Sequence, residues 1–598
     1  MPAQAGIQGW CGVERPIMDS RFRVCRFSLK SWLSTQNGAP VVIKGLPVVA
    51  GRMRMRRRVT RVPNTAQRSL GLGEKPEGEC EGARPKKVRV GATEFLDATP
   101  WHLYIGDERV DEYLKKRGLG WVVQMREELH KVDWISLELN YLGMGRPPYH
   151  PRMMMGLIVY AVLKQKWSLR AIEELAVADV GAWWLCGGQQ PDHSTIGEFL
   201  IRHRVEITKE FFEALVRGLV KRKGIKNGVV AGDGTVIEAA ASRFELLSQE
   251  AAEQAASQAK DAVERQPHDA ELEQQAQQAE EVACVARQRA AERVRKGRKA
   301  TQDARLVSPI EPQAVVQRCK DGRQRPSYKP SVLVHESGLI VSQVVEPSSE
   351  CAAMPELLDQ YQQAFGADPL SLLLDAGYHS IEVLAPIAAR QIDVLCPAGT
   401  TLDGQWERKG NKEKFGKNKF AFDPEEDRYQ CPAGHWLTPS KVYKDVATGL
   451  NARKYRTKQC SGCQLRSKCT QNKQGREIVR FEGEEIKQMM AEVLAQSRAR
   501  RRYRMRREIV ERIFAELGWR QGLHRFHRRA LDGSKLEFGL HCIALNLKWA
   551  IRRAPFRSIF GPQRDPQCGW IIFIICARDL SIPTLHHFAE DRLLSIAA

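Results

Sequence analysis

The stretch GVVAGDGTVI, residues 228–237, decides the expected fold. Its β-branched residues predict a short strand, and the Asp-Gly pair at 233–234 predicts that the strand ends in a turn. The stretch LSLLLDAGY, residues 370–378, has the same form, because an apolar run leads into Asp375 and then to a glycine. In open α/β sheets, sites form outside the carboxyl ends of the strands. Asp233 and Asp375 are therefore the first candidate site residues.

Further strands and helices surround these two acids. Residues 331–335 and 339–345 flank a Glu-Ser-Gly turn, and this spacing predicts a β-hairpin. Residues 355–365 and 380–389 have the pattern of helices, and residues 392–396 have the pattern of a strand. Strands that alternate with helices after an initial hairpin indicate an α/β layer fold.

The chain is basic and has no membrane-spanning pattern. Its 598 residues include 93 Lys and Arg against 71 Asp and Glu, which gives a net charge of +22 and a pI near 9.4. This balance favours a polyanionic partner, with nucleic acid the first candidate. No run of about 18 apolar residues occurs, which excludes a transmembrane protein. The N-terminal residues lack a signal peptide's apolar stretch, so we expect a cytoplasmic protein whose 15 cysteines are reduced thiols or metal ligands.

Two regions precede the α/β part. Residues 1–90 hold Arg, Gly and Pro without a sustained period, which predicts a basic disordered arm or an upstream extension foreign to the protein. Residues 91–222 predict a helical N-terminal domain, in which 151–204 would form three short helices. Ser168 and Asp192 are candidate N-caps there. The arrangement suits a helix-turn-helix-like DNA reader, although a plain helical bundle explains the same pattern.

A helical segment interrupts the α/β pattern. Residues 244–304 are mostly Ala, Gln, Glu and Arg, which favour helix, and Pro267 divides them into two arms. We interpret the segment as an inserted helical hairpin. The α/β part then continues to about residue 550, whereas residues 551–598 lose clear periodicity and receive no predicted fold.

A second interruption, residues 400–480, is rich in Lys, Gly and Cys. Cys460 and Cys463 form one CxxC pair, while Cys431 and Cys469 supply two further thiols. Four thiolates suit a tetrahedral Zn²⁺ ion, so this is a candidate structural zinc site. A second CxxC pair is missing, and free thiols are the alternative interpretation.

Carboxylates at strand ends suit Mg²⁺ or Mn²⁺, because these ions take few protein carboxylates together with phosphate oxygens. A two-metal site needs a third acid, and the helix predicted over 498–517 offers three: Glu508, Glu511 and Glu516. The same helix carries seven arginines between 498 and 507, a density that predicts a phosphate-facing surface rather than burial. The alternatives are ordinary turn residues for the two aspartates and a solvated helix with i,i+4 ion pairs.

Several motifs in one order resemble a known family. They are DGT at 233–235, DAGY at 375–378, YRMRR at 503–507, VERIF at 510–514, GLHRF at 522–526, the Arg pair at 528–529 and CIALNL at 542–547. Together they resemble the DDE transposases of bacterial insertion sequences, and the resemblance covers about residues 95–550. The segment 149–204 is similar to the helical N-terminal domain of these enzymes.

The resemblance implies a fold and an activity. The fold would be α/β, with a ribonuclease H-like mixed-sheet catalytic core over 223–550 that contains the helical and the cysteine-rich insertions. The activity would be metal-dependent DNA strand cleavage and strand transfer of an insertion element. Asp233, Asp375 and Glu511 would be the catalytic residues and would bind two Mg²⁺ or Mn²⁺ ions. These ions would activate water, or later a DNA 3′-OH, for in-line displacement without a covalent enzyme intermediate.

The implied partner is DNA, as element terminal repeats and as target. We also expect further copies of the chain in the DNA complex, association with the bacterial nucleoid when DNA is bound, and no membrane partner. The expected DNA-binding residues are arginines of the C-terminal helical region: Arg500, Arg501, Arg504, Arg507, Arg512, Arg525 and Arg528.

The chain departs from the family signature, which places Tyr, Arg, Glu and Lys at set spacings. Arg507 stands at the Arg position, Tyr503 lies one residue too far upstream, and Gly518 replaces the Lys. Three alternatives to an active transposase follow: a non-catalytic DNA-binding protein, a decayed copy without activity, and a metal-dependent nuclease without strand transfer. Tyr378, after Asp375, is a conceivable nucleophile for a different mechanism.

Overall fold

The computed structural model describes residues 94–141, 147–295, 306–398, 415–446 and 449–552. The predicted arm, 1–90, and all but two residues of the unassigned tail, 551–598, lie outside these described residues. Helices and mixed sheets make up the described part, which confirms the α/β class.

Helices dominate the first part of the described chain. A short antiparallel ladder of β1 (Tyr104–Ile105) and β2 (Glu108–Arg109) comes first. The helices are α1 (Val110–Lys116), α2 (Gly120–His130), α3 (Ile135–Glu138), α4 (Pro151–Leu163), α5 (Leu169–Ala178), α6 (Val180–Cys186), α7 (His193–Arg202), α8 (Arg204–Glu206) and α9 (Phe212–Lys223). Only Arg152 and Leu163 of α4 are partly exposed, so this helix lies at the centre, as its nearly all-round apolar sequence predicts.

Side-chain caps fix where these helices begin. Ser168 and Asp192 each accept a hydrogen bond from the backbone amide three residues on, which confirms both predicted N-caps. The prediction of three helices over 151–204 is wrong, because the structure has four. Asp179 begins the additional helix, α6, by accepting hydrogen bonds from the amides two and three residues on.

A mixed sheet forms the centre of the α/β part. Its strands are β3 (Val229–Gly234), β4 (Ile237–Glu238), β5 (Val315–Arg318), β6 (Gln324–His335), β7 (Ile340–Glu346), β8 (Ser371–Leu373) and β9 (Asp393–Leu395). The order is β4-β6-β3-β8-β9, and β5 and β7 also pair with β6. Strand β6 is antiparallel to β3 and β7, whereas β3, β8 and β9 are parallel. Strands β6 and β7 are the predicted hairpin.

The helix-favouring segment forms a hairpin of α10 (Gln249–Arg265) and α11 (Ala270–Arg295). Five buried residues of the hairpin form a separate small cluster with Val307, which follows it in the chain: Ala252, Ala256, Val282, Ala283 and Ala286. Alanine side chains bury little apolar surface, so this pair of helices is a satellite of the main core and adds little to it.

Much of the cysteine-rich region forms a second, antiparallel sheet. Its strands are β10 (Ala421–Asp423), β11 (Arg428–Gln430), β12 (Trp436–Pro439), β13 (Tyr443–Lys444), β14 (Asn451–Arg456) and β15 (Glu477–Phe481). The order is β10-β11-β12-β14-β13, and β15 also pairs with β14. A small core of its own lies beneath them: Phe420, Tyr429, Leu437, Tyr455 and Ile478.

The remaining helices are α12 (Met354–Phe365), α13 (Ile381–Ala389), α14 (Arg466–Cys469), α15 (Glu484–Ala495), α16 (Ser497–Ala515) and α17 (Ala530–Ile551). Helix α17 packs against both β7 and the N-terminal helices α2, α4 and α9, which joins the two parts in one core. The continuous helical region predicted from residue 484 is divided at Gln496, whose extended backbone separates α15 from α16. In the described ranges, every helix is too short or too polar to cross a bilayer.

Candidate active site

Asp233 and Asp375 lie at the same edge of the main sheet. Strands β3 and β8 are parallel neighbours, with Ala231 opposite Leu373, and each acid stands two residues beyond that pair. The paired residues are fully buried, so they hold the two strand ends in the core. Both carboxylates therefore belong to the carboxyl edge of the sheet, where open α/β sheets form their sites.

One guanidinium group joins the two carboxylates. Arg506, on α16, places Nη2 3.0 Å from Oδ1 of Asp233 and 3.7 Å from Oδ2 of Asp375. Its side chain is only 14% exposed, because α16 packs directly against β3. Buried charges are stable only when they are paired, so the two acids and the arginine depend on one another.

Each aspartate also stabilises its own turn. Asp233 Oδ1 accepts a hydrogen bond of 2.9 Å from the amide of Gly234, and Asp375 accepts one from the amide of Gly377. The turn-residue interpretation accounts for these bonds. It does not account for the shared, buried arginine, which links the two turns to one another.

Burial raises the pKa of Asp233 to about 6, although Arg506 acts in the opposite direction. Negative charges on Asp375 and Glu350 add to the rise. Burial also raises the pKa of Tyr378 well above its ordinary value, so its hydroxyl stays protonated at neutral pH. A buried, protonated phenol is a poor nucleophile, which counts against the mechanism that would use Tyr378.

We expect the metal-free Asp233→Asn variant to be more stable than the wild-type chain above pH 6. Because the folded-state pKa is raised from 3.8 to about 6, the folded protein keeps a proton that the unfolded chain has already released. The free energy of unfolding therefore falls as pH rises through this interval and stays lower above it. A shift of this size corresponds to at most about 3 kcal/mol, which asparagine would restore.

Urea unfolding at pH 4, 5, 6 and 7.5 in a chelator tests this expectation. The difference in midpoint between variant and wild type should widen between pH 4 and 6 and then remain constant. Asp359→Asn is the control, because Asp359 is 55% exposed on α12 and lies in a surface ion pair. A difference that does not change with pH would contradict the raised pKa.

Glu511, the third predicted acid, lies away from the two aspartates. Its side chain is 58% exposed, and its Oε2 lies 3.0 Å from Nε of Arg507. This is an i,i+4 ion pair on a solvated helix face, which was the alternative interpretation of this helix in the sequence analysis. Among the described residues, no hydrogen bond or ion pair joins Glu511 to Asp233 or Asp375.

The rotation of α16 about its axis explains this placement. Arg506 shares a helical stripe with Val510 and Ile513, at i+4 and i+7, and Val510 is fully buried. Arg506 therefore reaches the aspartates, whereas Arg507, which stands at the Arg position of the family signature, pairs with Glu511. The expectation that arginines of this density stay on the surface is also wrong for Arg506.

The predicted DNA-binding arginines fall into two groups. Arg501, Arg504, Arg507 and Arg512 are exposed and Arg500 is half-buried, all on α16. Arg525 instead donates hydrogen bonds to the carbonyls of Ala239 and Ala241, at 3.1 and 3.0 Å. Arg528 is largely enclosed, and burial lowers its pKa. Arg525 and Arg528 thus have structural contacts, whereas the five arginines on α16 form a cationic surface.

The four predicted zinc ligands converge. Cys431, Cys460, Cys463 and Cys469 line one cavity of about 20 Å³, with His435 also at its wall. Burial raises the pKa of Cys469, and negative charge on the other three sulfurs would raise it further. The backbone amide of Arg476 donates a hydrogen bond to Sγ of Cys460 at 3.5 Å.

The side chains are not arranged as ready-made metal ligands. Over the described ranges, no three His, Cys, Asp or Glu side chains are placed so that they could together hold a metal ion. At the carboxyl edge of the main sheet, the cationic side chains of Arg506 and Lys329 pair with the acids instead. Metal binding there therefore requires these cations to be displaced.

Two family models match stretches of the chain. A transposase DDE domain matches residues 430–550, and a transposase domain (DUF772) matches residues 125–202. No curated protein matches the chain. The first stretch contains Glu511 and α15 to α17, the second contains α3 to α7, and neither contains Asp233 or Asp375.

Both matches are to transposase domains, and together they indicate a transposase function. They support a transposase of the DDE type found in insertion sequences.

Proposed function

We propose that this chain cuts the ends of its own DNA element and joins them to target DNA, with Mg²⁺ or Mn²⁺ bound by Asp233, Asp375 and Glu511. One observation carries the proposal: two aspartates from neighbouring parallel strands meet at a single buried guanidinium. An edge that holds two carboxylates around one positive charge is a site built for cations.

The strand arrangement supports a ribonuclease H-like core. In the sheet, the antiparallel strands β7, β6 and β3 are followed by the parallel strands β8 and β9. In chain order, one aspartate ends the first strand and the other follows the strand after the hairpin. This order agrees with the core that the family resemblance implies, in which both acids would lie at the carboxyl edge of the sheet.

The donor set fits a hard divalent cation. The candidate ligands are carboxylate oxygens, which Mg²⁺ and Mn²⁺ prefer, and Arg506 already holds a positive charge between two of them. Bound divalent ions would polarise the scissile phosphate and activate water or a 3′-OH. Asp233 and Asp375 would orient that chemistry, and Arg506, once displaced, would lie beside the phosphate.

Glu511 must approach the aspartates for this triad to form. The pair that holds it, with Arg507, is exposed, and exposed pairs contribute only about 0–1 kcal/mol. Glu511 lies five residues beyond Arg506 on α16, so a helix that moves with DNA bound could carry both residues. The resemblance to the family, rather than a contact, supports its inclusion.

The exposed arginines of α16 would bind the DNA backbone. We expect Arg504→Ala and Arg507→Ala each to weaken DNA binding and to reduce the slope of log K against log salt by about 0.9, the value for one phosphate contact. Fluorescence anisotropy with duplex DNA between 50 and 300 mM salt measures both quantities. Arg265→Ala, at the exposed tip of the helical hairpin, is the control. An unchanged slope in both α16 variants would remove this helix from the interface.

The other regions take supporting roles in the proposal. The helices over 91–222 would bind terminal repeats, with α5 to α7 as the candidate reading unit, because all three of these helices begin at side-chain caps that fix the turns between them. Two or more copies of the chain would assemble on the two ends of the element. The four convergent cysteines would hold a structural Zn²⁺ ion.

A cleavage and joining assay tests the proposal. The full chain is incubated with Mg²⁺ or Mn²⁺ and labelled duplexes from the ends of its own element, which are located as inverted repeats flanking the reading frame. Nicks at the element end, followed by products joined to target plasmid, are expected. Nicks without joined products would support a nuclease, and binding without nicks would support a non-catalytic or decayed protein.

A further inference from the structure

A third acid lies beside the two aspartates, and it comes from a loop rather than from α16. Glu350 stands between the end of β7 and the start of α12, and its side chain is 20% exposed. Its negative charge contributes to the raised pKa of Asp233, so the two carboxylates are electrostatic neighbours. Glu350 is distant in sequence from both aspartates and belongs to none of the motifs that indicate a transposase.

Two glycines make room for the Glu350 carboxylate. A Cβ atom at Gly234 would lie 2.7 Å from Oε2 of Glu350, and one at Gly377 would lie 2.7 Å from its Oε1. A side chain at either position would therefore displace the Glu350 carboxylate from the place where it now lies between these two backbones. Gly234 directly follows Asp233, and Gly377 lies two residues after Asp375. The glycines of the DGT and DAGY motifs thus admit a third carboxylate at the site.

Two buried hydroxyl groups lie at the same place. The hydroxyls of Tyr378 and Ser331 are fully buried and close to one another, but the pair does not form a hydrogen bond of good geometry. Glu350 and Asp233 are among the charges that act on Tyr378, and Ser331 Oγ lies 3.0 Å from the position of a Gly234 Cβ. Buried polar groups are stable when they are hydrogen-bonded, and water or a phosphate oxygen around a bound ion would supply these hydroxyls with such partners.

A lysine neutralises Glu350 in the structure as it stands. Nζ of Lys329, on β6, lies 3.3 Å from Oε1 of Glu350, much as Arg506 lies between the aspartates. Three carboxylates and one DNA phosphodiester carry four negative charges, which two divalent cations would neutralise. Lys329 and Arg506 together supply only two positive charges, so divalent ions would neutralise the loaded site more completely.

We propose that Glu350 is a metal ligand of this site. Once Lys329 releases the Glu350 carboxylate, Glu350 would bind the divalent cation together with Asp233 and Asp375. The inference rests on the proposed function, because it assigns a further ligand to the same metal site. It also names an acid that lies close to Asp233 and Asp375, whereas Glu511 lies on the exposed face of α16.

Manganese binding to the full chain without DNA tests this role. Mn²⁺ is titrated and followed by electron paramagnetic resonance, so the readout does not depend on catalysis. Glu350→Gln should bind Mn²⁺ about tenfold or more weakly, as expected when a metal site loses a fixed partner. Lys329→Gln should bind Mn²⁺ severalfold more tightly, because the ammonium group that competes with the ion is gone. A folding defect cannot produce such a gain in affinity. Glu356→Gln, an exposed acid at the start of α12, should bind like the wild type.

The outcomes separate this inference from the proposed function. If Asp233→Asn weakens Mn²⁺ binding but Glu350→Gln binds like Glu356→Gln, Glu350 is not a ligand, and the metal site of the proposed function stands. If Asp233→Asn also binds Mn²⁺ like the wild type, the site itself is absent and the proposed function fails with it. Weaker binding in Glu350→Gln together with tighter binding in Lys329→Gln supports the assignment.

Discussion

Replacement of Asp233 or Asp375 by Asn is expected to abolish both nicking and joining of element ends, with a loss of about 10³-fold or more in each variant. Each substitution keeps the size of the side chain but removes one of the anionic ligands that hold the cation. A neutral amide oxygen competes poorly for a divalent ion that carries its own hydration shell. The loss should appear in both reactions, because one site is proposed to perform them.

The measurement must separate catalysis from DNA binding. Nicking is followed with labelled element ends over several hours in Mn²⁺, and binding of the same DNA is measured in a buffer without divalent ions. Both Asn variants should bind DNA within about twofold of the wild type, since the exposed arginines of α16 are unchanged. Asp359→Asn, on the exposed face of α12, provides the matched control and should retain full activity.

A residual activity within tenfold of the wild type would contradict the assignment. A change in the orientation of Arg506 is the main side effect to exclude, because this side chain pairs with both aspartates. Arg506→Lys keeps a positive charge there and serves as the comparison. If Arg506→Lys alone caused the same loss as Asp233→Asn with DNA binding intact, the arginine rather than the carboxylates would be the essential group.

The sequence was sufficient to predict where the two aspartates lie, because each follows a buried strand. The apolar runs before Asp233 and Asp375 determine the strands, and the glycines after them determine the turns. The parallel pairing of β3 with β8 then brings both acids to one edge, although 142 residues of chain separate them. Local sequence patterns can therefore predict the position of acids that stand directly at the ends of strands, because the same patterns predict those strands.

The other members of the site depend on contacts that local patterns do not record. Glu350 lies in a loop with no helical or strand period, and its approach depends on glycines of two distant motifs. Arg506 had a usable signal, since it shares the apolar stripe of Val510 and Ile513, where a charged side chain requires a buried partner. Glu511 was chosen by family spacing, and spacing alone does not determine which face of α16 meets the sheet.

The cysteine-rich region gives the second large expected effect. We expect the purified wild-type chain to contain about one zinc ion per chain, and the Cys460→Ser, Cys463→Ser double variant to contain none. Serine does not replace a thiolate as a soft ligand, and structural zinc contributes about 10–16 kcal/mol in small zinc domains. In the described part of this region the hydrophobic cluster beneath the sheet has five buried residues, so without the metal the sheet has a small core to hold it.

Hydrogen exchange followed by mass spectrometry locates this effect within the chain. Amides of β10 to β15 should lose protection in the double variant and in wild type treated with a chelator, whereas β3, β6 and β8 should keep theirs. The boundary is expected at α15, where Glu485 pairs with Arg480 at 2.6 Å and joins the cysteine-rich sheet to the main core. Cys284→Ser with Cys319→Ser, two thiols outside this cavity, controls for the chemical change. A wild-type protein that contains no zinc, yet shows full protection in this sheet, would mean that the four thiols pack as free side chains and that the sheet is stable without a metal.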